Sequence, residues 1–155
     1  MNTSNRKRTV CLPVDGSEHS KRAVEWFIKE VYRPGDHVLF IHSVELPYLP
    51  SVSLTSGLKI PVDDWTKALQ ENISLTNKLN NEYGYICESK NIPYEFLVKN
   101  GSTPGAGIIE ACEERPVDLI IMGSRGLGRI KRAIIGSVSS YVVHNSNVPC
   151  ITVPP

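Results

Sequence analysis

The sequence predicts an α/β fold, an open five-stranded parallel sheet with helices on both faces. Short apolar segments of strand type alternate along the chain with longer segments of helical period, the pattern left by strands joined through helical crossovers. Strand segments one, two and four are almost unbroken apolar runs, as strands covered on both faces are. At 155 residues the chain has the size of one domain, able to bury about two-thirds of its unfolded surface around a single core.

Taken in order, residues 1–8 form a basic tail, expected to be flexible, and residues 9–155 form the domain. The first strand is Thr9–Val14, where Pro13, lacking an N–H, is expected to end the ladder and expose Val14 and Asp15. A helix capped by Ser17 follows, with Ala23, Val24, Phe27, Ile28 and Val31 on one face and Pro34-Gly35 as its stop. His37–His42 is the second strand. Segment 45–61 contains Pro47, Pro50, Gly57 and Pro61 without any period and reads as a long loop, either a lid or a surface insertion. Val62, Trp65, Leu69, Ile73, Leu79, Tyr83 and Ile86 then recur at helical spacing and predict a long helix from about Asp63 to Lys90. The third strand, Tyr94–Val98, alternates Phe96 and Val98 with Glu95 and Lys99, which places it at a sheet edge. Thr103-Pro104 caps and opens a helix reaching Glu114, with Ile108, Ile109 and Cys112 inward. The fourth strand is Val117–Met122, the last helix about Ser137–Asn145, and the fifth strand Val148–Val153.

Composition narrows the function. With 41% hydrophobic and 21% charged residues and a net charge of +1, the chain reads as an ordinary soluble globular protein without a broad nucleic-acid-binding face. No apolar run approaches the roughly 20 residues of a spanning helix, and the basic tail leads into a strand rather than a signal core, so no membrane partner and a cytoplasmic location are expected. Cys11, Cys87, Cys112 and Cys150 form no CxxC pair and sit in or beside apolar segments, as reduced, mostly buried thiols do.

Ligands of open parallel sheets bind beyond the carboxyl ends of the strands. Four segments stand there: Asp15-Gly-Ser17, Ser43-Val-Glu45, Asn100-Gly-Ser102 and the stretch from Gly123 to Ser140. In the last, glycines let backbone N–H groups approach a polyanion, and Gly136-Ser137 opens a helix whose free N–H groups and dipole suit phosphate. Ser137 and Ser139 add hydroxyl donors, and Arg125, Arg129, Lys131 and Arg132 add local charge. On these residues alone the stretch is either a phosphate cradle or a glycine turn with Ser137 as N-cap and solvated cations. The absence of GxxxxGK[ST], and the GxxGxG rather than GxGxxG spacing of Gly123, Gly126 and Gly128, argue against an ordinary kinase or dinucleotide oxidoreductase.

Gly123, Gly126, Gly136 and Ser137 match every spacing of GxxGx9G[ST], the nucleotide signature of the universal stress proteins. The chain resembles that family over essentially its whole length: in Pro13-Val-Asp-Gly-Ser17, in Asp118-Leu-Ile-Ile-Met-Gly-Ser124, in Gly136-Ser-Val-Ser139 and in Val148-Pro-Cys-Ile-Thr-Val153. The resemblance implies strand order 3-2-1-4-5 in a Rossmann-like, adenine nucleotide alpha hydrolase-like sheet, and membership of the ATP-binding branch. Pro13, Val14 and Asp15 would border the adenosine, with the Asp15 carboxylate near ribose or a phosphate-bound Mg ion. Val44 would contact adenine, and Met122 and Gly123 would lie under the ribose. Gly126, Gly128, Gly136, Ser137, Val138 and Ser139 would hold the phosphates of ATP, ADP or AMP, with Arg125 and Arg129 as phosphate partners or solvated side chains. His42 is a base, a ligand or a packed strand-end residue, Trp65 core or base-stacking, and His144 a cation near a helix C-terminus. No catalytic residue or metal cage is identifiable.

Two functions remain open. One is a nucleotide-dependent regulatory or chaperone-like module of the stress response with at most slow hydrolysis. The other is a genuine ATPase or nucleotidyl-transferring enzyme of a related α/β fold. A phosphoryl-accepting receiver would need an Asp where Lys99-Asn100-Gly101 stands. The resemblance also implies a homodimer through Val148–Val153, an apolar strand with no charge to blunt its edge.

Overall fold

The computed structural model describes residues 6–45, 62–100, 103–124 and 136–155. Its elements run β1 (Thr9–Pro13), α1 (Glu18–Trp26), β2 (His37–Val44), α2 (Val62–Ser89), β3 (Tyr94–Asn100), α3 (Pro104–Glu114), β4 (Leu119–Gly123), α4 (Ser137–Asn145) and β5 (Cys150–Val153). The five strands form one parallel sheet in the order β3-β2-β1-β4-β5, as expected, with β3 at one edge.

Side chains along a strand point alternately to opposite faces, and the register sorts the core accordingly. Val10 pairs with Val38 and Leu119, and Cys11 with Leu39 and Ile120. On one face Val10, Leu12, Val38, Phe40 and Ile121 pack against Ala23 and Val24 of α1, Phe27, and Leu79, Tyr83 and Cys87 of α2. Phe40 stacks on Tyr83 with ring centroids 5.1 Å apart. The other face is built of smaller groups, with Cys11, Leu39, Ile41, Ile120 and Met122 against Ile108, Ala111 and Cys112 of α3 and Val142 of α4. Each large apolar side chain so buried contributes about 1.5–3 kcal/mol before entropy is counted.

Several expectations are corrected by the backbone. Pro13 does not release the chain, because the N–H of Val14 still donates to the Ile41 carbonyl at 2.9 Å and Val14 stays buried; only Asp15 emerges. The first helix continues past Trp26 as a π-helical segment, Phe27–Val31, closed by a bond from the Tyr32 N–H to the Phe27 carbonyl. β5 starts at Cys150 rather than Val148, since Pro149 has no N–H to give and offers only its carbonyl to Ile120. The apolar stripe of α2 is core only in its second half: Val62 and Ile73 are exposed, whereas Leu79, Tyr83 and Cys87 are buried. Segment 46–61 lies outside the described residues.

Arg8, assigned to the tail, is instead built into the domain. Its Nε donates to Asp36 at 2.9 Å and its Nη2 to the Val31 carbonyl at 3.1 Å, while Arg6 pairs with Asp118. The four cysteines are free thiols: Cys11, Cys87 and Cys112 are buried and Cys150 half-buried, with the sulfurs of Cys11 and Cys112 3.8 Å apart. Burial pushes the Cys11 thiol well above its ordinary range. No helix among the described residues is long and apolar enough to cross a membrane.

Candidate functional site

A cleft of about 200 Å³ opens where the tips of β1, β2 and β4 meet the N-terminal turns of α1, α3 and α4. Parallel strands deliver their carboxyl ends to one side, and each following helix begins there, so donors from three helices converge on the same space.

On the β1 side, Gly16 takes φ +80°, a left-handed conformation that turns the chain from Asp15 into Ser17. Ser17 caps α1 by accepting from the Ser20 N–H at 3.3 Å, and the Asp15 carboxylate accepts from the Ser17 N–H at 2.9 Å. On the β4 side, α1 passes so close over Gly123 that a Cβ there would lie 2.0 Å from the His19 carbonyl oxygen. Arg22 holds the next residue, donating from Nη2 to the Ser124 carbonyl at 3.0 Å.

α4 begins differently from the other two helices on the cleft. Thr103 caps α3 through its hydroxyl, as Ser17 caps α1, but the N-cap of α4 is Gly136, and no side chain among the described residues caps that end. Ser137 is therefore the first helical residue rather than the cap. Ser139 turns its hydroxyl back to the Gly136 carbonyl at 3.1 Å, so in this structure it is spent inside the turn. What α4 presents is a backbone terminus with its dipole.

Of the residues singled out from sequence, Pro13, Val14, Asp15, Met122, Gly123, Gly136, Ser137, Val138 and Ser139 line this one cleft. Val44 does not: it lies one position past Ser43, and strand alternation sends it to the other face, leaving Ser43 on the wall. Arg125, Gly126, Gly128 and Arg129 lie outside the described residues. His42 is not on the cleft either; it is buried, with Nδ1–H donating to the Val14 carbonyl at 2.8 Å, a strut between β2 and β1. Trp65 is half-buried on α2 away from the cleft, and His144 donates from Nδ1 to the Ser140 carbonyl at 2.7 Å in the last turn of α4.

The wall also holds Ser43, from a strand-tip segment the sequence singled out, and residues with no site role assigned from sequence: His19 and Ser20 from the first turn of α1, Ile41 from β2, and Pro104 and Ile108 one turn apart on α3. Ser43 stood past a predicted strand end and was visible in principle. The others carry no local signal, because only tertiary packing brings three helix starts together.

Comparison with known proteins places the fold and the family. A universal stress protein of Thermus aquaticus is 30% identical over 148 residues, covering 94% of this chain and 98% of its own length. Among solved structures, an Arabidopsis thaliana universal stress protein family member with AMP bound superposes with a TM-score of 0.68 at 22% identity, over 94% of this chain and 90% of that one. A universal stress protein in complex with cAMP superposes with a TM-score of 0.64 at 21% identity, over 95% and 97% of the two chains. The model of the universal stress protein family matches residues 7–154, and the chain belongs to that family.

Proposed function

We propose that the chain is a single domain that binds an adenine nucleotide in this cleft and works as a nucleotide-dependent regulatory or chaperone-like module of the stress response. The observation that carries the reading is the N-terminus of α4, which opens with glycine onto the cleft without a side-chain cap among the described residues and so offers its N–H donors and positive dipole end to an anion. Relatives of the same fold hold AMP and cAMP. ATP, ADP and AMP all fit the chemistry. Gly126, Gly128, Arg125 and Gly136 to Ser139 serve the phosphates, Pro13, Val14, Met122 and Gly123 border the nucleoside, and Asp15 faces ribose or a phosphate-bound Mg ion.

At most slow hydrolysis is expected. Asp15 and His19 are the ionisable side chains on the described wall, and the Asp15 carboxylate is already committed to the Ser17 N–H. A genuine ATPase would need a base held against the attacking water.

Ser137→Asp separates this reading from a merely structural glycine turn. A carboxylate in the first turn suits the helix dipole, so thermal stability is expected to hold or rise, while repulsion of phosphate weakens ATP, ADP and AMP binding more than about tenfold. Calorimetric titration beside a melting curve gives both quantities. Wild-type protein that binds none of the three, and releases no nucleotide when denatured, would end the proposal. Turnover at the rates of dedicated ATPases would favour the enzyme instead.

The same reading includes a homodimer through β5, an edge strand. The carbonyls of Pro149 and Val153 face β4, so by alternation the peptide groups of Cys150 and Thr152 face outward. Thr152→Pro removes one outward N–H and is expected to convert a dimer into a monomer by light scattering; a wild-type monomer at micromolar concentration would remove the assembly.

A further inference from the structure

Three of the four thiols gather on one face of the sheet. Cys11, Cys112 and Cys150 belong to the core between the sheet, α3 and α4, whereas Cys87 lies on the opposite face, and none of the four lines the cleft. Cys11, Ile120 and Cys150 are register partners across β1, β4 and β5, so Cys150 stands two strand spacings, about 10 Å, from Cys11 with Ile120 between them. Its thiol is turned elsewhere and donates to the Val148 carbonyl at 3.2 Å. Cys112 instead comes down on Cys11 from α3, sulfur to sulfur at 3.8 Å. The fold thus brings one pair, 101 residues apart in sequence, within reach of a bond.

A disulfide needs its sulfurs about 2.05 Å apart, so this pair must close by less than about 2 Å. α3 already packs tightly here: Ala111 faces the sheet, and a Cβ on Gly107 would lie 2.4 Å from the Ser43 Oγ of β2. The two thiols are not equivalent. Cys11 is fully buried, which pushes its thiol up, whereas the Cys11 S–H steadies a thiolate on Cys112, 9% exposed, and draws that thiol below its ordinary value.

We propose that Cys11 and Cys112 form a peroxide-reactive dithiol that closes to an intramolecular disulfide. The Cys112 thiolate attacks hydrogen peroxide; an S–O bond forms, the O–O bond breaks, and the departing hydroxide takes up the proton that the thiol had released and becomes water. The Cys11 sulfur, giving up its own proton, then attacks the Cys112 sulfur. The S–S bond forms, the S–O bond breaks, and hydroxide leaves with that proton as a second water. Two thiols lose two electrons, and one peroxide is reduced to two waters. The bond ties α3 to β1, and α3 carries Pro104 and Ile108 on the cleft wall, so oxidation pins that wall to the sheet whatever the cleft binds.

The test is to treat the full chain with hydrogen peroxide, quench it, unfold and alkylate it, and map the cysteines by mass spectrometry before and after a dithiol reductant. The chain is expected to lose the mass of two hydrogens, to take up two alkyl groups where the untreated protein takes four, and to yield a linked peptide pair joining Cys11 to Cys112; the reductant restores all four sites. In Cys11→Ala the sulfenic acid on Cys112 has no resolving partner and is expected to be trapped by dimedone. The wild-type map decides the question even where that core variant fails to fold. The same map on urea-unfolded chain is the control, because loop closure there favours Cys87 with Cys112, the pair nearest in sequence. A Cys11–Cys112 share no higher in the folded protein than in urea overturns the proposal. So does a bond that uses Cys150 or Cys87, a bond between two chains, or four alkylated thiols after peroxide.

Discussion

Gly123→Ala is expected to cost about 3 kcal/mol or more of folding stability, read as a lowered urea midpoint with unchanged slope. The added methyl has nowhere to go. It would meet the His19 carbonyl oxygen at 2.0 Å and its carbon at 2.4 Å, and both belong to the backbone of α1 rather than to a side chain that could swing aside. Relief requires lifting α1 off β4, which opens the packing of Ala23, Val24 and Phe27 against the sheet. Nucleotide binding should fall with it, since α1 carries Ser17, His19 and Ser20 on the cleft wall. Gly105→Ala is the matched control. Its methyl would meet the Tyr141 ring at 2.6 Å, but that side chain is 43% exposed and its ring can shift outward, and alanine recovers part of the roughly 1 kcal/mol of helix propensity that separates it from glycine in a helix interior. A net change near zero is expected there; equal losses at the two positions would show that the backbone contact is not what makes Gly123 expensive to replace.

Asp36→Asn carries the other large effect, a loss of about 2–3 kcal/mol at neutral pH. The Asp36 side chain is 4% exposed and accepts from Arg8, itself 25% exposed, and from the Arg33 N–H at 2.8 Å. Burial alone would raise its pKa, but the Arg8 guanidinium and the Arg33 N–H overcome that, and the carboxyl is held below its ordinary value. A depressed folded pKa means that the unfolded chain takes up a proton first as pH falls. The stabilisation is therefore fully present above the unfolded value of about 3.9 and disappears as pH drops through the folded value. The difference in unfolding free energy between wild type and Asp36→Asn should be flat from about pH 5 to 8 and shrink below about pH 4. A difference that stays constant into acid would mean that shape, not charge, holds the turn.

Much of this architecture is legible in the chain because period and punctuation are local. The apolar runs of β1, β2 and β4, the cap Thr103-Pro104 of α3 and the span Ser137–Asn145 of α4 are all readable without a partner in view. What escaped depends on neighbours. β1 ends at Pro13, but the bond from Val14 to Ile41 keeps the next residue tied down and buried because β2 supplies the carbonyl, and nothing in residues 9–15 announces it. The resemblance implies Val44 at the adenine, yet the alternation of β2 puts Ser43, not Val44, on the cleft wall. Arg8 reads as part of a solvated cluster until Asp36 is brought beside it.

α2 spans 28 residues, roughly 42 Å at the usual rise, but its buried positions run from Leu79 to Cys87. Folding cooperativity follows burial rather than hydrogen-bond count, so this helix is mechanically two objects on one axis. The half that carries Tyr83 opens only when the sheet does. The half that carries Val62 and Ile73 has little burial to hold it and is expected to open separately, at lower free energy. Opening confined to those first turns is expected to leave the packing of Leu79, Tyr83 and Cys87 on the sheet in place.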